Sequence, residues 1–132
     1  MKRAFLPLAA FLLLAACTEE AGPIPELSVT EAASQLAAGA VAVDANGDAT
    51  RAERGVVPGA RLLTSSSSYD PAEELPSDQA TALIFYCANT QCSASDGAAE
   101  RAREAGYANV SVMRAGIMGW VEAGNETEAP SS

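Results

Sequence analysis

The sequence predicts an α/β domain in which helices flank a central, mainly parallel sheet. Two observations lead there. Short apolar, β-branched runs alternate with segments of helical apolar spacing along most of the chain, the order that strand–helix–strand units leave in a sequence. The strongest run, "TALIFYC" (Thr81 to Cys87), is continuously apolar, as expected of a strand covered on both faces.

The elements follow in order. "SVTEAASQLAAG" has cap candidates at Ser28 and Thr30, apolar residues at helical spacing (Val29, Ala32, Ala33, Leu36) and a stop at Gly39. "AVAVDA" reads as a strand ending in Asp44. "GDATRAERG" fits a helical turn or a loop, and "VVPGARLLT" turns at Pro58-Gly59 before a short strand. "SSSSYDPAEELPSDQ" is polar, a flexible segment with one brief helix at most. After the central strand, "SASDGAAERAREAG" predicts a helix starting near Ser93 or Ser95 and closed by Gly106. "NVSVM" is a further strand. "AGIMGWVEAG" is a short helix whose Ile117, Met118 and Trp120 face the core. Tyr86 is expected to pack within the sheet.

The two ends differ from this pattern. "MKRAFLPLAAFLLLAAC" places Lys2 and Arg3 before an apolar run from Ala4 to Ala16, the layout of an export signal. The run is short for a membrane span, which takes about 20 apolar residues. Its end, "LAAC" (Leu14 to Cys17), resembles the lipobox of bacterial lipoproteins. That resemblance implies cleavage after residue 16, lipidation of Cys17, and attachment to the membrane through this lipid only. Thr18 stands where an aspartate would mark inner-membrane retention. The expected location is therefore the cell envelope, at the outer membrane facing the periplasm if the organism is Gram-negative. "TEEAGPIPE" (Thr18 to Glu26) and "ETEAPSS" (Glu126 to Ser132) read as solvated linkers. The expected division is a signal peptide over 1–16, lipidated cysteine and acidic tether over 17–27, one domain over 28–124 and a polar tail over 125–132.

Charge narrows the function. The chain carries a net charge of −9. Without residues 1–16, six arginines face all 17 acidic residues, for a net charge of −11. Such a surface repels nucleic acid phosphates and anionic lipids, so no nucleic-acid partner is expected. There is no histidine, which excludes a histidine-dependent triad and any zinc site using imidazole. Two cysteines besides Cys17 are too few for a disulfide framework, and an exported compartment tends to oxidise thiols.

Those two cysteines lie in "YCANTQCSAS" (Tyr86 to Ser95), between the strongest strand and the following helix. In parallel sheets, function collects in loops at the carboxyl ends of strands. Here the backbone N–H groups can curl around a point at the positive end of the helix, where an anion such as a thiolate is stabilised. A cysteine so placed has a lowered pKa and is nucleophilic. Cys87 is therefore the candidate nucleophile.

This strand–cysteine–loop–helix unit, followed by "AGYANVSVMRAGIMGW", resembles the rhodanese domain of sulfurtransferases. "VAVDA" falls where that family has its aspartate-bearing strand, and "GVVPGARLL" where it has a Gly-His-Ile-Pro-Gly-Ala element. The likeness spans roughly residues 28–124 and implies a three-layer fold. It also implies that Cys87 accepts a sulfane sulfur as a persulfide and passes it to a thiol or other nucleophile. The backbone of Ala88, Asn89, Thr90, Gln91, Cys92 and Ser93 would cradle the sulfur. The implied partners are a small sulfur donor and a thiol acceptor, and no metal or organic cofactor is required.

Four positions depart from the family pattern. Cys92 stands where the loop often has an arginine, Val56 replaces a frequent histidine, Asn46 replaces an arginine, and Ala115-Gly116 stands for Gly-Gly. The loop lacks a basic residue, which argues against the thiosulfate dianion as natural donor in so acidic a protein. Arg114 and Arg51 lie outside the loop as compensating cations, though each reads first as a surface charge. Related phosphatases place an arginine six residues after the cysteine; Ser93 occupies that position and argues against phosphatase or arsenate reductase chemistry.

Three readings of the cysteine pair stay open. In the leading one, Cys87 is the nucleophile and Cys92 an auxiliary thiol that resolves the persulfide or receives its sulfur. In the second, the pair exchanges electrons as a thiol–disulfide couple. In the third, it is a structural disulfide, which needs Cα atoms within about 7 Å and would add about 2 kcal/mol for so short a loop. An inactive, partner-binding or sensing domain is the non-enzymatic alternative. Asp44 could act as a general base but is expected mainly to order loops. Asn89, Thr90 and Gln91 are expected to shape the pocket and access to it.

Overall fold

The computed structural model describes residues 22–131. The expected signal peptide over 1–16 and the expected lipidation site at Cys17 lie outside the described residues. Among those described, four strands form one all-parallel sheet: β1 (Val41–Asp44), β2 (Arg61–Leu62), β3 (Leu83–Tyr86) and β4 (Val110–Val112), in the order β2-β1-β3-β4. Five helices accompany them: α1 (Val29–Ala37), α2 (Asp48–Arg54), α3 (Pro71–Glu74), α4 (Ala94–Glu104) and α5 (Gly116–Glu122). The expected α/β class and the parallel sheet are observed. "GDATRAERG" resolves as a helix, α2, rather than a loop.

Two apolar clusters, one on each side of the sheet, explain why β3 is apolar throughout. Its side chains alternate in direction. Leu83 and Phe85 pack with Ala98, Ala99 and Ala102 of α4, whereas Ile84 and Tyr86 pack with Ala32 of α1 and Ile117 and Trp120 of α5. All four are buried. The same parity sends Cys87, two residues beyond Phe85, to the α4 side. Small alanines on α4 let that helix lie close to the sheet.

Both ends of the domain are more engaged than the sequence suggested. Residues 24–27, read as part of a solvated tether, run beside β4. The Leu27 N–H donates to Val112 O (2.8 Å), the Val112 N–H donates to Pro25 O (2.9 Å), and Ile24 packs on the core. The polar tail also docks. Val56 and Glu128 exchange backbone hydrogen bonds of 2.9 Å in an antiparallel bridge. The Trp120 indole N–H donates to Glu126 O (2.7 Å). Charged composition concealed both contacts because they are made chiefly by backbone groups.

The serine-rich segment is anchored too. Tyr69 is fully buried, and its hydroxyl donates to Ala98 O on α4 (2.6 Å). Arg101 donates from Nε to Tyr69 O (2.7 Å) and lies over the ring, 5.7 Å from its centroid. One aromatic residue thus pins a polar loop to the helix that carries the candidate site.

Candidate active site

Cys87 directly follows β3 and is only 2 % exposed. The chain then turns back on itself. Asn89 Oδ1 accepts from the Gln91 N–H (3.0 Å), and Asn89 O accepts from the Cys92 N–H (3.1 Å). This turn returns Cys92 to Cys87, with Cα atoms 6.3 Å apart, and the two are joined by a disulfide. The separation lies within the range a disulfide requires, so the loop is narrower than an open cradle. Cys92 is half-buried, while Thr90, Gln91 and Ser93 are exposed.

Ser93 is the N-cap of α4 by position, but its side chain makes no cap bond. The N–H groups of Ser93, Ala94 and Ser95 have no hydrogen-bond partner among the described residues, and neither do those of Ala88, Asn89 and Thr90. Unpaired donors and the helix dipole make this end of α4 electropositive. Ser95 is buried, and its Oγ lies 3.7 Å from Cys87 Sγ. While that sulfur is in the disulfide it has no proton, so the serine hydroxyl is the donor. Ser95 entered the sequence reading only as a possible cap. Its place in the first turn of α4, on the side of the sheet to which parity assigns Cys87, was the available signal.

The floor of the loop is α5. The N–H groups of Ile117 and Met118 donate to Cys87 O (2.9 Å) and Ala88 O (3.0 Å). These bonds consume donors of the first turn of α5 and fix the peptide that carries Cys87. Gly116 permits the approach. It has φ +66°, and a Cβ there would lie 2.5 Å from the Ala88 carbonyl carbon. Of the Ala115-Gly116 pair, the second glycine is the one the geometry requires. Asn89 also reaches α5, its Nδ2 lying 3.7 Å from Met118 Sδ.

Asp44 lies in a separate hydrogen-bond network from Cys87. It is fully buried. One carboxylate oxygen accepts from the Asn46 N–H (2.8 Å) and Arg51 Nε (3.2 Å); the other accepts from the Tyr86 hydroxyl (2.6 Å). Arg51 donates further to Asp44 O and Leu63 O, and Tyr86 in turn accepts from the Val57 N–H. Burial first, then the neighbouring Asp44 carboxylate, push the Tyr86 phenol well above its ordinary range. Both carboxylate oxygens of Asp44 accept from structural partners, which supports loop ordering over proton transfer. Arg51 is thereby corrected: it is a buried structural cation, not a surface charge, and its apolar cover could not be read from a single arginine in a polar stretch. Asn46 is buried, and its Nδ2 has no hydrogen-bond partner among the described residues.

Arg114 is about one-third exposed and makes a two-pronged ion pair with Asp96 of α4 (2.7 and 3.0 Å), and another with Glu26. It ties the segment before α5 to α4 and the N-terminal segment. Its hydrogen bonds to Asp96 and then Glu26 raise an already high pKa. Both of its forks are committed, so it supplies no free cation to the loop.

With this geometry in place, comparison with known proteins is decisive about kinship. A family model for the rhodanese-like domain matches residues 28–123. The chain belongs to the rhodanese-like domain family. A thiosulfate sulfurtransferase from Pseudomonas aeruginosa is 26 % identical with TM-score 0.66, over 83 % of this chain but only 21 % of that one. A rhodanese-like domain from Anabaena is 21 % identical over 80 % of both chains, with TM-score 0.65. A Rhodopseudomonas palustris protein described as a possible tyrosine phosphatase is 22 % identical over 80 % of this chain and 85 % of its own, with TM-score 0.62. The last two show the fold alone. No curated protein matches in sequence. In this rhodanese-like domain, the residue six positions after Cys87 is Ser93.

Proposed function

We propose that the domain transfers sulfane sulfur through a persulfide on Cys87. The observation that carries this reading is the position of Cys87: it ends the central strand, faces the uncapped start of α4, and has the Ser95 hydroxyl beside its sulfur. After reduction of the disulfide, the Cys87 thiolate attacks the sulfane sulfur of the donor. The bond to the remainder of the donor breaks, and that group leaves with the electron pair, as sulfite would from thiosulfate. A thiol or other nucleophile then attacks the outer sulfur, and Cys87 leaves as a thiolate stabilised by the free N–H groups. Ala88, Asn89, Thr90, Gln91 and Ser93 form the rim through which donor and acceptor pass. The donor is a small sulfur compound, the acceptor a thiol. We place the protein in the cell envelope, held by lipid on Cys17.

Intact mass tests the chemistry. The reduced full-length chain, carrying Cys17→Ser, is exposed to thiosulfate or to inorganic polysulfide and analysed under non-reducing conditions. Gain of one sulfur atom in Cys92→Ser, absent from Cys87→Ser, is the expected result. Absence of any sulfur gain with either donor would overturn the proposal. The bonded cysteine pair favours one second reading, a thiol–disulfide redox protein. That reading predicts no sulfur gain and requires both cysteines for turnover.

A further inference from the structure

Resting on the persulfide reading, we infer that Cys92 makes this site a reductive one: it releases sulfane sulfur as hydrosulfide and draws the electrons from a dithiol. The loop carries a second thiol at the point where its backbone turn meets the nucleophile. The Cys92 N–H to Asn89 O bond, the 6.3 Å Cα separation and the Cys87–Cys92 bond show that the two sulfurs meet within this loop. The loop is clamped from below by the Ile117 and Met118 N–H groups. Cys87 is 2 % exposed, whereas an external acceptor must first enter past Thr90, Gln91 and Ser93. A neighbouring thiol has the advantage of effective concentration over any acceptor from solution.

The chemistry balances in two steps. The Cys92 thiolate attacks the inner sulfur of the Cys87 persulfide. The Cys92–Cys87 bond forms, the bond to the outer sulfur breaks, and hydrosulfide leaves with the electron pair. Hydrosulfide is a weaker base than an alkyl thiolate and leaves readily, as thiol–disulfide exchange requires. The sulfane sulfur gains two electrons, and the two cysteines lose two in becoming the disulfide. An external dithiol then attacks Cys92, the more exposed sulfur of the pair. This expels the Cys87 thiolate beside Ser95 and the start of α4. The second thiol of the partner closes its own disulfide and frees Cys92. Each cycle therefore consumes one sulfane sulfur and one dithiol and yields one hydrosulfide. The required partner is a dithiol donor, and the disulfide state is an intermediate of turnover.

A single-turnover experiment tests this without excess thiol. The full-length chain with Cys17→Ser is reduced, freed of reductant under anaerobic conditions, and given one equivalent of thiosulfate or, separately, of a thiosulfonate, donors that carry one sulfane sulfur and expel sulfite or a sulfinate, not sulfide, on loading Cys87. Released sulfide and intact mass are read together. The expected result is one hydrosulfide per chain and loss of two hydrogens from the protein. In Cys92→Ser the sulfur should remain as a persulfide and the protein-dependent sulfide burst should disappear, with Cys92→Ala checking that the result does not depend on the serine. A wild-type chain that keeps the sulfur as a persulfide and releases no sulfide would overturn the inference and leave the persulfide reading standing. If neither chain gains sulfur or releases sulfide, the persulfide reading falls, and this inference with it.

Discussion

Gly116 and Asp44 shape the surroundings of Cys87 and β1 through close packing and hydrogen bonds. A Cβ at position 116 would strike the Cys87 and Ala88 carbonyls, on a backbone with φ +66°. Gly116→Ala is expected to destabilise by about 1–3 kcal/mol and to slow sulfur loading by moving the loop. Denaturant unfolding together with loading rate checks both. Asp44→Asn keeps the shape but leaves Arg51, with a side chain only 7 % exposed, without its anion. Breaking a buried pair costs about 3–5 kcal/mol. The expected outcome is lower stability with unchanged sulfur loading per folded chain. A loss of loading with an altered pH profile, in chains that remain folded, would instead restore Asp44 as a base.

At the scale of elements, the ends of helices and strands are held by backbone groups and by a few polar side chains. Glu74 of α3 accepts from the Thr64 N–H (2.7 Å), the Thr64 hydroxyl (3.0 Å) and the Asp70 N–H (2.9 Å). Burial opposes its charge, but these hydrogen bonds prevail and lower its pKa. A carboxyl depressed in the folded state stabilises above its unfolded pKa, and that contribution is lost as pH falls through the folded value. Glu74→Gln should therefore lower stability at neutral pH, with the difference from wild type shrinking through the acid range. Denaturant midpoints across that range are the measurement. The docked tail makes a second prediction. Ending the chain at Gly124 removes the acceptor of the Trp120 N–H and the bridge at Val56. The emission of Trp120, the one tryptophan of the sequence, should shift to the red and the melting temperature should fall.

Across the whole molecule, charge would govern which donors reach the proposed site. The chain is strongly acidic, and its loop contains no arginine or lysine. Arg51 and Arg114 are both tied to carboxylates. A dianionic donor therefore meets net repulsion that salt screens. The rate of loading by thiosulfate should rise with ionic strength, while that of an uncharged trisulfide donor should stay nearly constant. A fall with salt for thiosulfate would reveal an attractive anion path that these ion pairs do not provide.

The alternating pattern, the doubly covered strand and the helix after Cys87 were legible in sequence because local apolar periodicity and caps determine such elements. So was the place of Cys87 between the end of that strand and the helix that follows. Long-range pairing was not legible. Tyr69 on Ala98, Arg51 on Asp44, the tail on Val56 and Ser95 beside Cys87 depend on which segments the sheet order brings together. Spacing alone also left the loop width open, and with it the cysteine pairing. The tertiary structure decides it: the Asn89 turn and the clamp from α5 set the path of the chain, and that path carries Cys92 back to Cys87.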